Sequence, residues 1–226
     1  VGIDGTVTGD IFEVRAPVRV GHLGGVLDFD GAADGLDAGR GVADAYAIPG
    51  DLTIEAWIKP EGASQNPIVS FQGPGATAAD NILYELHVDV SGFLGVAQEN
   101  GANLPEAGGL PANITVGQWH HVAAIRDISN LTWTLMVDGN VIGEVSFTVA
   151  PDGGTLSSLL IGTDGTNFFD GEIADVRVWD TARTPDDVRQ NLGVQPAADA
   201  TGLAFSAMLD DDTSGPAGVV SDGRGN

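Results

Sequence analysis

Carboxylate and amide side chains in glycine-rich turns are the groups in this 226-residue sequence best suited to chemistry. They occur in three places: residues 28–31, the pair Asp80 and Asn81, and residues 164–167. Such oxygens, together with exposed backbone carbonyls, are the ligands that Ca²⁺ takes at about 2.3–2.6 Å. The residue types therefore predict calcium sites, although by spacing alone an Asx turn is the commoner use of each segment.

The histidines and the acidic residues do not form a catalytic pattern in the sequence. His120 and His121 are adjacent, so in a strand their rings point to opposite faces and cannot share one metal ion. We therefore predict structural roles for both. Glycoside hydrolysis needs two carboxylates on one face, about 5–9.5 Å apart. Glu172 and Asp175 are three residues apart, which predicts opposite faces in a regular strand.

One group of neighbouring polar residues remains a candidate for catalysis. Glu85 and His87 share a strand face by their spacing, and Tyr84 lies beside them. An enzyme built on this chain, either a glycoside hydrolase or a polysaccharide lyase, would need convergent acids or a Tyr–His pair on the concave sheet, and Tyr84 near His87 is the arrangement to test. The sequence contains neither a Gly-x-Ser-x-Gly elbow nor a phosphate-binding loop.

The composition and charge of the chain exclude several classes of partner and of chemistry. The chain has 32 acidic and 9 basic residues, a formal net charge of −23, and no cysteine. Nucleic acid is not expected as a partner, because phosphate binding needs clustered Lys and Arg. Thiol catalysis, Cys-ligated zinc and disulfides are excluded, and no apolar run reaches the roughly 18–20 residues of a membrane span. Because a strongly acidic surface suits a calcium-rich setting, we expect a secreted protein, extracellular or on a bacterial cell surface. Because the sequence starts at Val1 without an initiating Met, we expect it to be part of a larger exported protein.

Short alternating strands organise most of the chain. Apolar and polar residues alternate over 52–59 and 131–137, and Asp138-Gly139 is a two-residue hairpin signal. Strands recurring roughly every 8–12 residues predict an all-β fold, a two-sheet antiparallel β-sandwich. One short helix is expected near the C-terminus, where Thr184 can cap a helix. We predict a single domain over 1–226, with an N-terminal arm over 1–25, the sandwich over 26–209 and a polar end over 210–226.

Five segments and the predicted helix together resemble one family. They are 27–31 (LDFDG), 52–60 (LTIEAWIKP), 117–123 (GQWHHVA), 136–139 (MVDG), 169–179 (FDGEIADVRVW) and the helix over 184–192. In this order they resemble the laminin G-like, concanavalin A-like jelly-roll domains, which are related to the pentraxins. The resemblance covers residues 26–192. It implies two antiparallel sheets packed face to face, and the binding of glycans, glycoproteins or cell-surface ligands, often through calcium.

The resemblance also implies two calcium positions. One is a structural calcium held by an acid in the late Asp-Val-Arg-Val strand and by the turn after the first strand. The other is a ligand-binding calcium held by an Asp-Asn pair and a later loop. The matching positions are Asp175 with Asp30 and Gly31 for the first, and Asp80, Asn81 and Asp164 for the second. The pentraxin loop carries several acids, whereas Asp164 stands nearly alone here.

We therefore expect a noncatalytic, calcium-dependent module for carbohydrate or glycoconjugate binding and adhesion. Its ligand-binding groups are expected on a sheet surface, at Glu85, His87, Gln98 and Asn100. The four tryptophans are expected in the core or at its rim. The glycosidase or lyase described above, and a structural spacer or protein–protein module, are the alternatives.

Overall fold

In the part of the chain that the structure describes, the protein folds as two antiparallel β-sheets of seven strands each, with one short helix. A computed structural model describes residues 6–8, 25–39, 45–62, 66–72, 82–98, 110–112, 114–151, 158–197 and 199–207. The predicted all-β sandwich is thereby confirmed. In this described part of the chain, no helix has the length and apolar character needed to cross a membrane.

The strands of each sheet come from distant parts of the sequence. Sheet A has the spatial order β1 (Thr6–Thr8), β3 (Gly35–Asp37), β12 (Ser158–Ile161), β5 (Asn66–Gln72), β6 (Ile82–Val88), β7 (Phe93–Ala97) and β8 (Leu110–Pro111). Sheet B has the order β11 (Asn140–Ser146), β10 (Thr132–Val137), β9 (His120–Asp127), β4 (Leu52–Pro60), β13 (Asp170–Trp179) and β14 (Leu203–Ala207). Strand β2 (Val26–Asp30) pairs with the first half of β13, and β14 pairs with its second half.

Alternate residues of the strands fill the core between the sheets. Leu52 of β4 and Trp133 of β10 are fully buried members of one large apolar cluster. Burying a side chain of the size of leucine stabilises the fold by roughly 1.5–3 kcal/mol. Trp133 therefore lies in the core as predicted. Trp179 is also buried but is not a member of this cluster, and Trp57 and Trp119 are half-buried on the outer face of sheet B, outside the core.

The helix and the hairpin turn form where local sequence chemistry predicts them. Helix α1 (Pro185–Gln190) begins after Thr184, whose side chain accepts a hydrogen bond from the backbone of Asp187. Asp187 in turn accepts one from the backbone of Thr184, which completes a capping box. Asp138 and Gly139 have φ values of 49° and 75°, the left-handed values that a two-residue hairpin between β10 and β11 requires.

The adjacent histidines have the structural roles predicted for them. His120 Nδ1 lies 2.9 Å from Asp138 Oδ2, and its Nε2 accepts a hydrogen bond from Thr115 N at 3.0 Å. His121 is buried, and its Nε2 lies 3.6 Å from Glu55 Oε2. Each imidazole therefore ties two segments of the fold together.

Residues 181–194, here called the strap, lie across the outer face of sheet B. Thr53 Oγ1 donates to Thr181 O at 2.7 Å, and Trp57 Nε1 donates to Leu192 O at 3.0 Å. Between these anchors, Val188 of α1 is fully buried against β9 and β10. Side chains in the middle of this outer face therefore hold the strap against sheet B.

Candidate functional site

A row of side chains crosses the outer face of sheet A. Cross-strand pairing aligns Leu160 of β12, Ser70 of β5, Glu85 of β6 and Ala97 of β7. Cross-strand partners point to the same side of a sheet. Their neighbours along each strand, such as Val69, belong to the core. The row therefore faces away from the core.

Ser70 and Glu85 are buried although they point away from the core. Ser70 has no exposed surface, and Glu85 is 3% exposed. Ser70 Oγ has no hydrogen-bond partner among the described residues. A buried polar group without a partner costs about 1–3 kcal/mol, and native proteins keep few of them. Because Ser70 has no exposed surface, a ligand group could reach this hydroxyl only after a local displacement of its neighbours.

His87 lies next to this row, and we name Ser70, Glu85 and His87 together the Glu85 cluster. His87 Nδ1 is 2.9 Å from Glu85 Oε1, so a protonated ring would form an ion pair, but the two atoms are misaligned for a hydrogen bond. The ring lies over Gly95 of β7, where an added Cβ would stand 2.5 Å from His87 Nε2. The absence of a side chain at Gly95 therefore makes room for the imidazole.

The structure corrects the prediction that Gln98 binds a ligand. Gln98 follows Ala97 and turns towards the interior, where it is 5% exposed. Its Oε1 accepts a hydrogen bond from Trp133 Nε1 at 2.9 Å, and its Nε2 donates to Val149 O at 3.4 Å. The amide therefore satisfies the indole of a buried tryptophan. Asn100, predicted beside it, lies outside the described residues.

The carboxylates of sheet A are too far apart for glycoside hydrolysis. Its seven strands contain two acidic residues, Asp37 and Glu85. Three strand spacings separate β3 from β6, which corresponds to about 14 Å. Because the reaction uses carboxylates about 5–9.5 Å apart, these two residues cannot act as its pair.

The alternative catalytic pair, Tyr84 with His87, is not assembled. Tyr84 is fully buried, its ring stacks on Phe71 at 5.5 Å, and its hydroxyl donates to Tyr46 O at 2.8 Å. Burial raises the pKa of this hydroxyl far above its ordinary value, against the opposing charge of Arg126. His87 lies on the opposite face of β6, so the two side chains cannot act together.

A second group of buried charges lies under the strap, with Glu55 of β4 at its centre. Arg183 NH1 donates to Glu55 Oε1 at 2.7 Å, and Arg177 NH1 lies 3.9 Å from Glu55 Oε2. Burial raises the pKa of the Glu55 carboxyl, but His121, Arg177 and Arg183 outweigh this effect and hold its pKa below the ordinary value. This group of charges links the strap to sheet B.

Asp175 belongs to the same group because of a bulge in β13. The register against β4 shifts between Ala174 and Arg177, and Asp175 has a φ of 48°. Arg177 binds both carboxylate oxygens of Asp175, with Nε to Oδ1 at 2.8 Å and NH2 to Oδ2 at 2.5 Å. The extra residue places Glu172 and Asp175 on the same outer face. The prediction of opposite faces assumed a regular strand and is wrong.

The first predicted calcium set is not brought together. Asp30 pairs across the strands with Asp170, five residues before Asp175, a separation of about 16 Å along the strand. Hydrogen bonds from the backbone N–H groups of residues 32–33 lower the pKa of Asp30. Because the Asp175 carboxylate is already paired with an arginine, Asp30, Gly31 and Asp175 do not fit a single calcium ion.

Of the second predicted set, the structure describes only Asp164. It closes a turn between β12 and β13, where its Oδ1 accepts hydrogen bonds from the backbone N–H groups of residues 166–167 at 2.7 and 2.6 Å. Asp80 and Asn81 lie outside the described residues, so this calcium set stays a prediction. Within the described ranges, no group of three or more His, Cys, Asp or Glu side chains could hold a metal ion.

Comparison with known families identifies the fold. A family model described as the concanavalin A-like lectin/glucanases superfamily matches residues 30–189. The chain belongs to this superfamily. The resemblance predicted from the five segments and the helix is thereby confirmed. No curated protein matches the chain.

Solved structures share the concanavalin A-like fold at low sequence identity. Domain 4 of AbnA, an extracellular arabinanase from Geobacillus stearothermophilus solved with arabinotriose, is 18% identical with a TM-score of 0.59, over 82% of this chain and 86% of that one. The CBM40 of a Ruminococcus gnavus IT-sialidase, bound to α2,3-sialyllactose, is 16% identical with a TM-score of 0.57, over 84% of this chain and 98% of that one. A leech intramolecular trans-sialidase is 16% identical with a TM-score of 0.56, over 86% of this chain and 28% of that one.

Proposed function

We propose that the protein is a noncatalytic module of an exported protein, and that it binds a carbohydrate or glycoconjugate on the outer face of sheet A. The observation that carries this proposal is the Glu85 cluster, in which Ser70 Oγ and His87 Nδ1 are buried without hydrogen-bond partners in the described chain. Structural neighbours add support, because two of them hold sugars, arabinotriose and α2,3-sialyllactose.

The chemistry of the row suits a sugar. The Ser70 hydroxyl can donate and accept a hydrogen bond, and the Glu85 carboxylate can accept from a sugar hydroxyl. Half-buried Leu160 and Ala97 flank these groups and offer apolar contact to the C–H face of a pyranose or furanose ring. A few convergent polar groups among apolar neighbours are typical of small-ligand sites.

The geometry favours binding over catalysis. The distance between Asp37 and Glu85 and the inward position of Tyr84 leave the described part of sheet A without the acid pair or the Tyr–His pair that the enzymatic alternatives need.

An array of immobilised glycans tests this proposal. We expect selective binding of the wild-type chain to one class of glycan, and loss of that signal in Ser70→Ala, because the hydroxyl can no longer bond to the sugar. Thermal melting of both proteins checks that Ser70→Ala remains folded. Absence of binding to any glycan, by a folded wild-type chain, would contradict the proposal and leave the spacer alternative.

We also propose that Ca²⁺ stabilises the module through the second predicted set, Asp80, Asn81 and Asp164. A ligand that binds the folded state alone raises stability by RT ln(1 + [L]/Kd), about 2.7 kcal/mol at a hundred times Kd. We therefore expect the melting temperature to rise with added Ca²⁺ and to fall on chelation, with Asp80→Asn losing the response. Identical melting curves in Ca²⁺ and in chelator would contradict the proposed stabilisation by calcium.

A further inference from the structure

We propose that the ligand of sheet A is an uncharged glycan, and that the module rejects polysaccharides bearing carboxylate or sulfate groups. This inference rests on the proposed function and specifies its substrate class. It follows from where the basic and acidic side chains of the molecule lie.

The strands of sheet A that the structure describes offer no Lys or Arg cation to an anionic sugar. Its seven strands contain no Lys or Arg. Proteins recognise carboxylates and sulfate-like groups mainly through charge-assisted hydrogen bonds from such side chains, above all the forked guanidinium of arginine. In the described strands, His87 is the one side chain of this sheet that can become positive, and it lies beside Glu85.

The basic residues that the structure describes all lie elsewhere and have partners. They belong to sheet B or to the strap. Lys59 pairs with Glu172 and Glu61, Arg126 donates to core carbonyls, Arg177 pairs with Asp175, Arg183 with Glu55, and Arg189 with Asp186. Freeing any of them for a ligand would break an ion pair or hydrogen bond that it already makes. The four other arginines, at positions 15, 19, 40 and 224, lie outside the described residues.

The negative charge of Glu85 would repel anionic glycans, in addition to the lack of a cation to bind them. The Glu85 carboxylate, which is 3% exposed, would accept hydrogen bonds from sugar hydroxyls but repel a sugar carboxylate, because like charges placed together at a binding surface oppose association. The net charge of −23 adds a longer-ranged repulsion, which salt screens over about 8 Å at physiological ionic strength.

Pairs of polysaccharides that differ in their charged groups separate the effect of charge on binding from the effect of sugar identity. The probes are polyuronates and sulfated polysaccharides, each paired with its own carboxyl-reduced or desulfated form, and the binding of the full chain is measured by titration calorimetry. We expect the uncharged member of at least one pair to bind, and its charged parent to bind at least about tenfold more weakly. Raising the salt concentration should narrow this gap but not close it, because a buried charge is screened less than exposed ones.

Two variants that each remove one negative charge test whether Glu85 causes the discrimination against charged glycans. Glu85→Gln and Asp186→Asn each remove one negative charge, but Asp186 is exposed on the strap, with 74% of its side chain accessible. We expect Glu85→Gln to reduce the discrimination and Asp186→Asn to leave it unchanged. Equal or tighter binding of the charged parents to the wild type would overturn this inference and leave the proposed function standing. Binding of neither member of any pair would overturn this inference, and the proposed function would be overturned with it only if the glycan array also showed no binding.

Discussion

Replacing Arg126 with methionine is expected to lower the free energy of unfolding by about 3–5 kcal/mol, because it leaves several buried carbonyls without their donor. Arg126 lies in β9 with no exposed surface. Its guanidinium donates to Gly50 O at 2.9 Å, to Leu83 O at 3.1 Å and to Ile48 O, and it lies 5.2 Å from the centre of the Trp133 ring. Methionine fills a similar volume but cannot donate.

The contacts of Arg126 connect three distant parts of the chain, so the loss should appear as global destabilisation. Urea denaturation followed by tryptophan fluorescence measures it. Arg189→Met is the control, because Arg189 also donates to a carbonyl, Gly139 O at 2.9 Å, but from a side chain that is 49% exposed. The control should lose no more than about 1 kcal/mol. Equal losses in the two variants would contradict the role assigned to Arg126.

The second large effect is expected at Glu55. Glu55→Gln should lower the free energy of unfolding by about 2–4 kcal/mol, because removing one partner of a buried ion pair leaves the other charges uncompensated. Glu55 has no exposed surface, and it faces Arg183, Arg177 and His121. The strap should loosen first, since the bond from Arg183 to Glu55 is one of its ties to sheet B. Faster hydrogen exchange at the amides of residues 181–194 would report this loosening.

The pH dependence of stability provides an independent test of Glu55. Its pKa is lower in the folded protein than its ordinary value, so the unfolded state binds the proton more tightly. The stabilisation from Glu55 is therefore fully present above the unfolded pKa and is lost as the pH falls through the folded pKa. Glu55→Gln should weaken the decline in stability on acidification, while Asp186→Asn, at an exposed pair, should keep it. If the stability of Glu55→Gln declined on acidification as steeply as that of the wild type, the role assigned to Glu55 would be contradicted.

The features that the sequence predicts correctly are those set by neighbouring residues. The strands follow from period-two patterning, the β10–β11 turn from Asp138-Gly139, and α1 from the Thr184 cap, and each of these involves residues within a few positions of one another. The segments that resemble the concanavalin A-like domains also lie inside or beside regular strands, which is why the fold class could be predicted before any contact was known.

The site depends on register and on contacts across the sheets, which local patterns do not contain. Gln98 faces inward because it follows Ala97, whose side chain faces outward, and Asp175 turns towards Arg177 because of a bulge in β13. Ser70 was not predicted at all, although a serine within the apolar run of β5 is a signal that could have drawn attention to it. The partners of Glu55 lie from 66 to 128 positions away, such as Arg183 at 128.

The central claim is that the outer face of sheet A binds the glycan, and a pair of bulky substitutions tests it most directly. Ala97 is half-buried in the row beside Glu85, whereas Val141 is 45% exposed on β11 of sheet B. Titration calorimetry with the glycan that binds best on the array should show at least about a tenfold loss of affinity, or about 1.4 kcal/mol, in Ala97→Trp and no change in Val141→Trp. Unchanged affinity in a folded Ala97→Trp, or loss in Val141→Trp alone, would contradict the account.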